Sequence, residues 1–413
     1  MSIHAVGVIG LVLVFVIGTL RPVNLGALAL VMTFLVGTIF VGEDARSMLS
    51  GFPVDLLILL TGVTYLFAIA QSNGTVDQIV ERATRLAGGR RALIPWVVFV
   101  VASLPALAGA LGSAGVALLA PIALRLARRF DLDRRMIGLM VVHGASAGNF
   151  SPLNPLGAIV NQVVARNGLN LSAMTLFLAN IAYNIVIAAV LYLLFGRLRS
   201  SSSEAGAPMQ AERPARLATD QVSTLIALVA VAIAALGFDL NIGFLAFGAA
   251  VVLQLLFPKS SVGADRRIAW NVVLLVCGIV TYVAALQRYG TVDAVGSGIA
   301  ALGAPLMTAL LLCAVGAITS AFASSAGILG AMIPLAVPII AHGAIGTTGL
   351  IVALAISVTV VDGMPFSTVG ALIVANADED ERPRIYRGLL WWGAAMVVTA
   401  PVLTWLIFIL PAR

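Results

Sequence analysis

Two seven-residue segments of this chain repeat each other closely. The first, QSNGTVD, spans residues 71–77 and the second, QRYGTVD, spans residues 287–293; five of the seven positions are identical at an offset of 216. Four further pairs repeat at an offset of 213: Pro121 with Pro334, Pro152 with Pro365, Gly157 with Gly370, and Ala158 with Ala371. Such self-similarity indicates two copies of one structural unit, so we expect the chain to fold as two related halves.

The composition predicts that both halves lie in a membrane. Hydrophobic residues make up 61% of the 413 residues and charged residues 10%, with a mean hydropathy of +1.07. A soluble protein of this length cannot bury so much apolar surface, so the lipid bilayer is the expected partner. The apolar runs are long and continuous, which favours helices. The net charge of +6 does not indicate nucleic-acid binding, because the basic residues lie in short loops between apolar runs.

The apolar runs predict an all-α polytopic membrane protein made of two repeats, residues 1–198 and 220–413, joined by a polar cytoplasmic linker at 199–219. In the first repeat we predict spans at 5–20, 24–41 and 54–71, a hairpin at 94–130, a broken span at 136–165 and a span at 174–196. In the second repeat we predict spans at 221–237, 240–257 and 270–287, a hairpin at 300–342, a broken span at 347–376 and a span at 387–411.

The two hairpins determine how the repeats are oriented. Residues 93–124 carry no charge and are too many for one straight span, and their middle, residues 108–115, is small and flexible. This pattern suits two half-length helices that meet at a tip inside the membrane, and residues 324–327 provide the equivalent tip in the second repeat. With re-entrant hairpins each repeat crosses the membrane five times, an odd number, so the second repeat is inverted relative to the first.

The basic residues favour this inverted arrangement with both termini outside the cytoplasm. Twenty of the 24 Lys and Arg residues then lie on the cytoplasmic side. The four others are Arg46, Arg166, Arg288 and Arg413. Because loops rich in Lys and Arg stay in the cytoplasm, this asymmetry predicts a multi-pass protein with extracytoplasmic termini.

The two broken spans contain the residues least compatible with a helix in hydrocarbon. Residues 143–157 include two prolines, three glycines and four hydroxyl or amide side chains, and residues 362–370 read DGMPFSTVG. Unwound backbone at membrane depth is tolerated only where it lines a cavity or is buried in protein. Structural proline kinks are the alternative. We disfavour them because the breaks occupy corresponding positions and pair with polar hairpin tips.

The breaks and hairpin tips predict a binding site for an anion with an adjacent cation. Helix starts offer free N–H groups and the positive end of a dipole, while unwound carbonyl groups can bind a small cation. No Lys or Arg lies in these segments, so bound Na⁺ is the expected counter-charge and no organic cofactor is expected. The candidate substrate-binding residues are Ser113, Asn149, Asn154, Ser325, Ser367 and Thr368. The candidate sodium ligands are Gly112, Ser113, Gly148, Asn149, Ser324, Ser325, Asp362 and Gly363.

Three side chains of these segments have competing interpretations. Asp362, which aligns with Asn149 of the first repeat, is a candidate sodium ligand or proton carrier. Alternatively it caps the half-helix that begins near Pro365. His143 is a proton relay or a hydrogen-bonded structural residue. A hydrolase that uses Ser146 with His143 is disfavoured, because the serine lacks a GxSG context and a second copy of the unit has no role in such a site.

At these residues the chain resembles the ion transporter superfamily that includes the divalent anion/sodium symporters, and in particular its bacterial malonate or dicarboxylate carriers of the MatC type. The resemblance covers essentially the whole chain. Symporters of that superfamily carry a Ser-Asn-Thr motif at each hairpin tip. Counting back from the proline of each hairpin arm, Pro121 and Pro334, puts this motif on residues 111–113 and 324–326, and neither tip has the asparagine.

The resemblance implies a secondary active transporter of small dicarboxylates such as malonate or succinate, in the bacterial inner membrane. It also implies a homodimer in which a scaffold, residues 1–92 and 220–298, stays fixed. Transport units at 93–198 and 299–413 would move in elevator fashion. Three alternatives remain open at this point: a proton-coupled transporter, an exchanger or efflux pump for another organic or inorganic anion, and a passive channel.

Overall fold

A computed structural model describes residues 2–21, 23–76, 78, 82, 91–196, 217–238, 240–292, 294, 304–322, 325–341 and 345–412. Over these ranges the chain is helical, with 81% helix and no strands. The prediction of an all-α protein is therefore confirmed. The predicted linker at 199–219 lies outside the described residues except for its last three.

The helices of both halves follow the predicted segments closely. In the N-terminal half they are α1 (Ile3–Leu20), α2 (Leu25–Val36, continued by a π-helix to Val41), α3 (Ala45–Leu49), α4 (Val54–Ser72), α5 (Ile94–Leu107), α6 (Gly112–Arg129), α7 (Arg134–Gly148), α8 (Pro155–Arg166) and α9 (Ala173–Phe195). In the C-terminal half they are α10 (Thr219–Phe238), α11 (Ile242–Leu256), α12 (Trp270–Arg288), α13 (Pro305–Ser320), α14 (Ser325–Ala341), α15 (Thr347–Thr359), α16 (Thr368–Ala375) and α17 (Arg382–Thr404, continued to Ala412).

Each predicted hairpin is a pair of helices, α5–α6 and α13–α14, and each predicted broken span is also a pair, α7–α8 and α15–α16. One difference is at α17, which begins at Arg382 rather than at 387. Its first turn is polar and is held by ion pairs: Arg134 lies 2.5 Å from Glu381, and Arg384 lies 3.6 Å from Asp133. Hydropathy alone therefore places this helix start too late.

The breaks form where the sequence removes backbone donors. After α7 ends at Gly148, Phe150 adopts a left-handed conformation with φ of 63°. Pro155 is the first residue of α8, a position where the missing N–H of proline costs nothing. In the other half a 3₁₀ turn from Val360 to Gly363 ends the first segment. Ser367 is the N-cap residue just before α16, and its side chain accepts a hydrogen bond from Gly370 N at 3.1 Å.

The two halves exchange contacts in a reciprocal pattern. Helix α2 crosses α12, and α11 crosses α4. Both crossings pass through glycine pairs. A Cβ added to Gly278 would lie 2.0 Å from Gly26 O, and one added to Gly62 would lie 2.4 Å from Gly243 O. The helices therefore touch backbone to backbone, and larger side chains would push them apart. The hairpins follow the same pattern, since α6 packs on α16 and α14 packs on α8.

Length and composition fit a multi-pass membrane protein. Five helical segments in the described part of the chain are long and apolar enough to cross a membrane: Val54–Ser72, Ala173–Phe195, Trp270–Arg288, Thr347–Ala375 and Arg382–Ile409. Large apolar side chains also face outward from the bundle; Leu20 is 75% exposed and Leu255 is 77% exposed. Lipid, not water, is the solvent that such a surface requires.

Candidate functional site

A cavity of about 360 Å³ lies where the hairpin tips meet the two breaks. Six helices begin at its wall, namely α2, α6, α8, α12, α14 and α16, and the breaks after α7 and α15 complete it. Its polar lining consists of Asn24, Gly112, Ser113, Ser146, Asn149, Asn271, Ser325, Asp362, Ser367 and Thr368. Its apolar lining consists of Leu111, Ala145, Leu156, Val272, Leu275, Ala326 and Val369. Among the described lining residues, Asp362 is the one with an ionisable side chain.

The tip of the second hairpin is hydrogen-bonded to the second break. Ser325 Oγ donates to Asp362 Oδ1 at 2.6 Å, and Ser320 Oγ lies 2.9 Å from Ser325 Oγ. The Asp362 carboxylate therefore contacts the hairpin across the cavity wall. It does not cap the half-helix, because Ser367 occupies the cap position of α16. The capping interpretation of Asp362 is thus replaced by a contact between a hairpin tip and a break.

The equivalent place in the N-terminal half lacks this hydrogen bond. The repeat aligns Gly112 with Ser325 and Asn149 with Asp362. Asn149 is 2% exposed, and its Oδ1 has no hydrogen-bond partner among the described residues. A Cβ added to Gly112 would lie 3.9 Å from this oxygen. A buried carbonyl-type oxygen beside the cavity, without a donor, is suited to a cation or to a donor group of a ligand.

Two hydroxyl groups predicted to bind substrate lie at the start of α16. Thr368 is exposed to the cavity and is the first residue of the helix. Ser367 also lines the cavity, but its hydroxyl donates to backbone carbonyls, with Met364 O at 2.9 Å. The structure thus leaves Thr368 more available than Ser367 for a ligand.

Several predicted site residues do not line the cavity. Asn154 is fully buried, and its side chain donates to Ala106 O at 3.0 Å and Ala110 O at 2.9 Å. Its Oδ1 accepts from Leu156 N at 2.9 Å, so the contacts of Asn154 join hairpin 1 (residues 94–129) to α8. This corrects the expectation that Asn154 faces a ligand.

The two remaining glycines of the predicted sodium site are packing residues. A Cβ on Gly148 would lie 2.7 Å from Ser103 O, so this glycine lets α7 approach α5. Gly363 faces Val142 and Leu139 of α7 rather than the cavity. Ser324, the remaining predicted sodium ligand, lies outside the described residues.

Both ring nitrogens of His143 are engaged in hydrogen bonds. Trp392 Nε1 donates to His143 Nε2 at 2.9 Å, which leaves Nδ1 to donate to Asn184 Oδ1 at 3.1 Å. The ring is fully buried and stacks edge-on against Trp392. It cannot accept a proton from Ser146 in this arrangement. These contacts indicate a structural histidine.

The cavity residues that come from the predicted scaffold were not among the predicted site residues. Asn24 and Asn271 stand just before or inside the first turns of α2 and α12. Asn24 followed by an apolar run is a recognisable helix-start signal. Its position at the cavity follows from the crossing of α2 and α12, which brings residues more than 240 positions apart together, as the 2.9 Å bond from Asn24 Nδ2 to Asn271 O shows. A single sequence contains no signal for that contact.

Comparisons with known proteins agree with this architecture. Residues 1–149 match the family model described as the N-terminus of the dicarboxylate carrier protein MatC. The solved structure of the YdaH transporter from Alcanivorax borkumensis superposes with a TM-score of 0.58 at 13% identity, over 92% of this chain and 96% of that chain. No curated protein sequence matches the chain.

The family match confirms the resemblance to MatC-type carriers over the N-terminal 149 residues. The YdaH likeness, at its low identity, concerns the fold alone. Both proteins are transporters rather than enzymes, as the sequence predicts for this chain. The chain therefore resembles dicarboxylate carriers of the MatC type over its first 149 residues and shares the fold of a solved membrane transporter over nearly its whole length.

Proposed function

We propose that this protein is a secondary active transporter of small dicarboxylates, such as malonate or succinate, driven by Na⁺ symport. The main support for the proposal is the cavity at which six helices of the described chain begin, with no Lys or Arg among its described lining residues. Each helix start contributes about 0.3–1 kcal/mol to the binding of a negative charge, more where water is excluded. An anion of carboxylate size fits a site built from such starts, hydroxyls and amides.

The charge of the site favours coupling to a cation. A dianion in the cavity would lie near Asp362, the one acidic residue of the described lining, and no basic side chain of that described lining offsets either charge. Helix dipoles supply only partial charges, so a bound cation or a proton must supply the rest. Binding of the anion and of the cation then become mutually dependent, which is the thermodynamic condition for symport.

The unpaired Asn149 Oδ1 supports a sodium site in the N-terminal half. This buried oxygen faces Gly112 at the tip of hairpin 1, where no Cβ occupies the space. Oxygen atoms of this kind, together with unwound backbone carbonyls, are suitable ligands for a small cation. We assign Asn149 as a sodium ligand and retain Gly112 and Ser113 as neighbouring candidates.

A second coupling mode has its own support. The 2.6 Å hydrogen bond between Ser325 and Asp362 shows how the carboxylate can be held without a metal ion. A proton on Asp362 would serve the same purpose as sodium, since it removes the negative charge when the dianion binds. Exchange of another organic or inorganic anion is compatible with the same cavity.

We further propose that the halves are inverted repeats and that transport follows an elevator mechanism. The reciprocal glycine crossings, α2 with α12 and α11 with α4, support a two-fold relation between the halves. In the predicted topology Asn24 and Asn271 lie near the cytoplasmic loops, so the cavity is at the cytoplasmic end of the scaffold. The homodimer, the bacterial inner membrane and the scaffold and transport boundaries at 92, 198, 220 and 298 rest on the resemblance to MatC-type carriers.

Uptake by proteoliposomes tests the proposal directly. Purified protein is reconstituted, and labelled malonate and succinate are followed under an inward Na⁺ gradient, under an inward proton gradient and without either. Accumulation above equilibrium with Na⁺ alone is the expected result, and it also excludes a passive channel. Accumulation with the proton gradient alone would replace sodium by the proton as coupling ion. Absence of dicarboxylate uptake in all three conditions would refute the substrate assignment.

A further inference from the structure

One wall of the cavity belongs to the predicted scaffold rather than to the hairpins and breaks. Asn24, at the start of α2, and Asn271, Val272 and Leu275, in the first turns of α12, line it. In the elevator arrangement proposed above, this wall stays fixed while the opposite wall moves. A polar residue on the fixed wall can therefore contact the ligand in one position of the transport unit only.

The two asparagines of this wall differ in how their amides are used. Asn24 Oδ1 accepts from Gly26 N at 2.9 Å and from Ala27 N at 3.2 Å, and its Nδ2 donates to Asn271 O at 2.9 Å. Asn24 thus holds the backbone of residue 271 in place. The side chain of Asn271 is exposed at the cavity and makes no hydrogen bond to the part of the chain that the structure describes. Its NH₂ group is available as a donor.

The position equivalent to Asn271 in the other half carries a carboxylate instead of an amide side chain. Asp55 stands at the same distance before Gln71 as Asn271 does before Gln287. The Asp55 carboxylate is paired with the guanidinium of Arg166, at the end of α8. Position 271 has an amide in place of that carboxylate, and no arginine lines the cavity beside it in the described part of the chain. A neutral donor there does not repel an anion, whereas a carboxylate would.

We propose that Asn271 is a specificity-determining residue that donates a hydrogen bond to one carboxylate of the bound dicarboxylate, while the residues of the hairpin tips and breaks bind the other. The inference rests on the proposed function and extends it, because it assigns a substrate contact to the scaffold. It predicts that selectivity for two carboxylates over one depends on Asn271. A ligand with a single carboxylate, bound at the tips, gains nothing from this amide.

The test compares Asn271→Ala and Asn271→Asp with the wild-type protein in proteoliposomes. The KM for succinate and the concentration of propionate that halves succinate uptake are both measured. Asn271→Ala removes a hydrogen bond to a charged carboxylate, so it should raise the KM for succinate by about tenfold or more. The propionate concentration that halves succinate uptake should change little. Asn271→Asp, which restores the Asp55-type carboxylate without its arginine, raises the KM further. Asn376→Ala, an exposed asparagine outside the cavity with one bond to Leu372 O, is the matched control.

The possible outcomes separate this inference from the proposed function. Succinate transport by Asn271→Ala with unchanged KM and unchanged selectivity would overturn the inference and leave the proposed function standing. A parallel loss of succinate uptake and propionate inhibition, with a lowered melting temperature, would overturn it too, because it indicates a structural role. If the wild-type protein neither takes up succinate nor shows inhibition of malonate uptake by succinate, the proposed function is refuted and the inference with it.

Discussion

Replacement of Asn154 by alanine should destabilise the protein rather than weaken its affinity for substrate. The side chain makes three hydrogen bonds, to Ala106 O, Ala110 O and Leu156 N, and none of its surface is exposed. Alanine leaves the Leu156 N–H and the Ala110 carbonyl without their side-chain partner, whereas Ala106 O still accepts from Gly109 N at 3.2 Å. At about 1–3 kcal/mol for each buried group that loses its partner, the cost is about 2–6 kcal/mol.

Thermal unfolding of the detergent-purified protein measures this cost. We expect a clearly lower melting temperature for Asn154→Ala. Asn154→Asp keeps the acceptor for Leu156 N but loses both donors, so its loss should be similar or larger because the new charge is buried. Asn376→Ala, which removes one exposed hydrogen bond at 2.8 Å, should unfold like the wild type. A wild-type melting temperature for Asn154→Ala together with a raised KM would refute this reasoning and make Asn154 a substrate ligand.

Three further changes test the site and its surroundings. Gly112→Ser places a hydroxyl within reach of Asn149 Oδ1, which lies 3.9 Å from an added Cβ. Because this hydroxyl would occupy the proposed sodium ligand, the Na⁺ concentration for half-maximal uptake should rise by about tenfold. Gly248→Ser is the control and should not change this concentration, since nothing lies within 4 Å of a Cβ added there. Asp362→Asn should change the cation or proton dependence of uptake more than the selectivity among dicarboxylates; an unchanged Na⁺ and pH profile would assign Asp362 a structural role. At Asp133, burial raises the pKa, but hydrogen bonds and charge from Arg135 and charge from Arg384 outweigh it, so the pKa lies below its ordinary value. Its contribution to stability is present above the ordinary pKa and is lost as the pH falls through the lowered one. Asp133→Asn should therefore lower the melting temperature at pH 7 but not at a pH well below about 3.9, and equal effects at both pH values would contradict this.

Much of the fold was predictable because membrane helices are encoded locally. Hydropathy located the spans, and clusters of glycine and proline located the hairpin tips and breaks, for example the gap between Gly148 and Pro155. The repeat also pointed to Ser325 and Asp362, which the structure places 2.6 Å apart. These features depend on residues close in sequence or on a direct comparison of the two halves.

The remaining features depend on contacts that a single sequence does not specify. Asn154 looked like a ligand because it is polar and lies in a break, yet its donors reach the carbonyls of hairpin 1. Asn271 was not identified because it begins an ordinary span, and only the crossing of α2 and α12 brings it to the cavity. A polar residue at membrane depth can be satisfied by backbone or left for a ligand, and packing decides which.

The two hairpin tips contact their breaks in chemically different ways, and this difference bears on where the proposed coupling ion would bind. In the C-terminal half a serine hydroxyl satisfies the Asp362 carboxylate. In the N-terminal half the glycine at the equivalent position leaves Asn149 Oδ1 without a partner among the described residues. If both halves bound the same cation in the same way, the inverted repeat would be expected to preserve matching oxygen ligands at the two places. Instead the N-terminal half offers a neutral amide oxygen without a partner among the described residues, and the C-terminal half offers a carboxyl group that accepts a hydrogen bond from Ser325. A cation bound at Asn149 Oδ1 would lie beside Gly112 at the tip of hairpin 1, whereas a cation bound at Asp362 would compete with Ser325 of the second hairpin for the carboxylate, so in the proposed symport the two events would act on different hairpin tips.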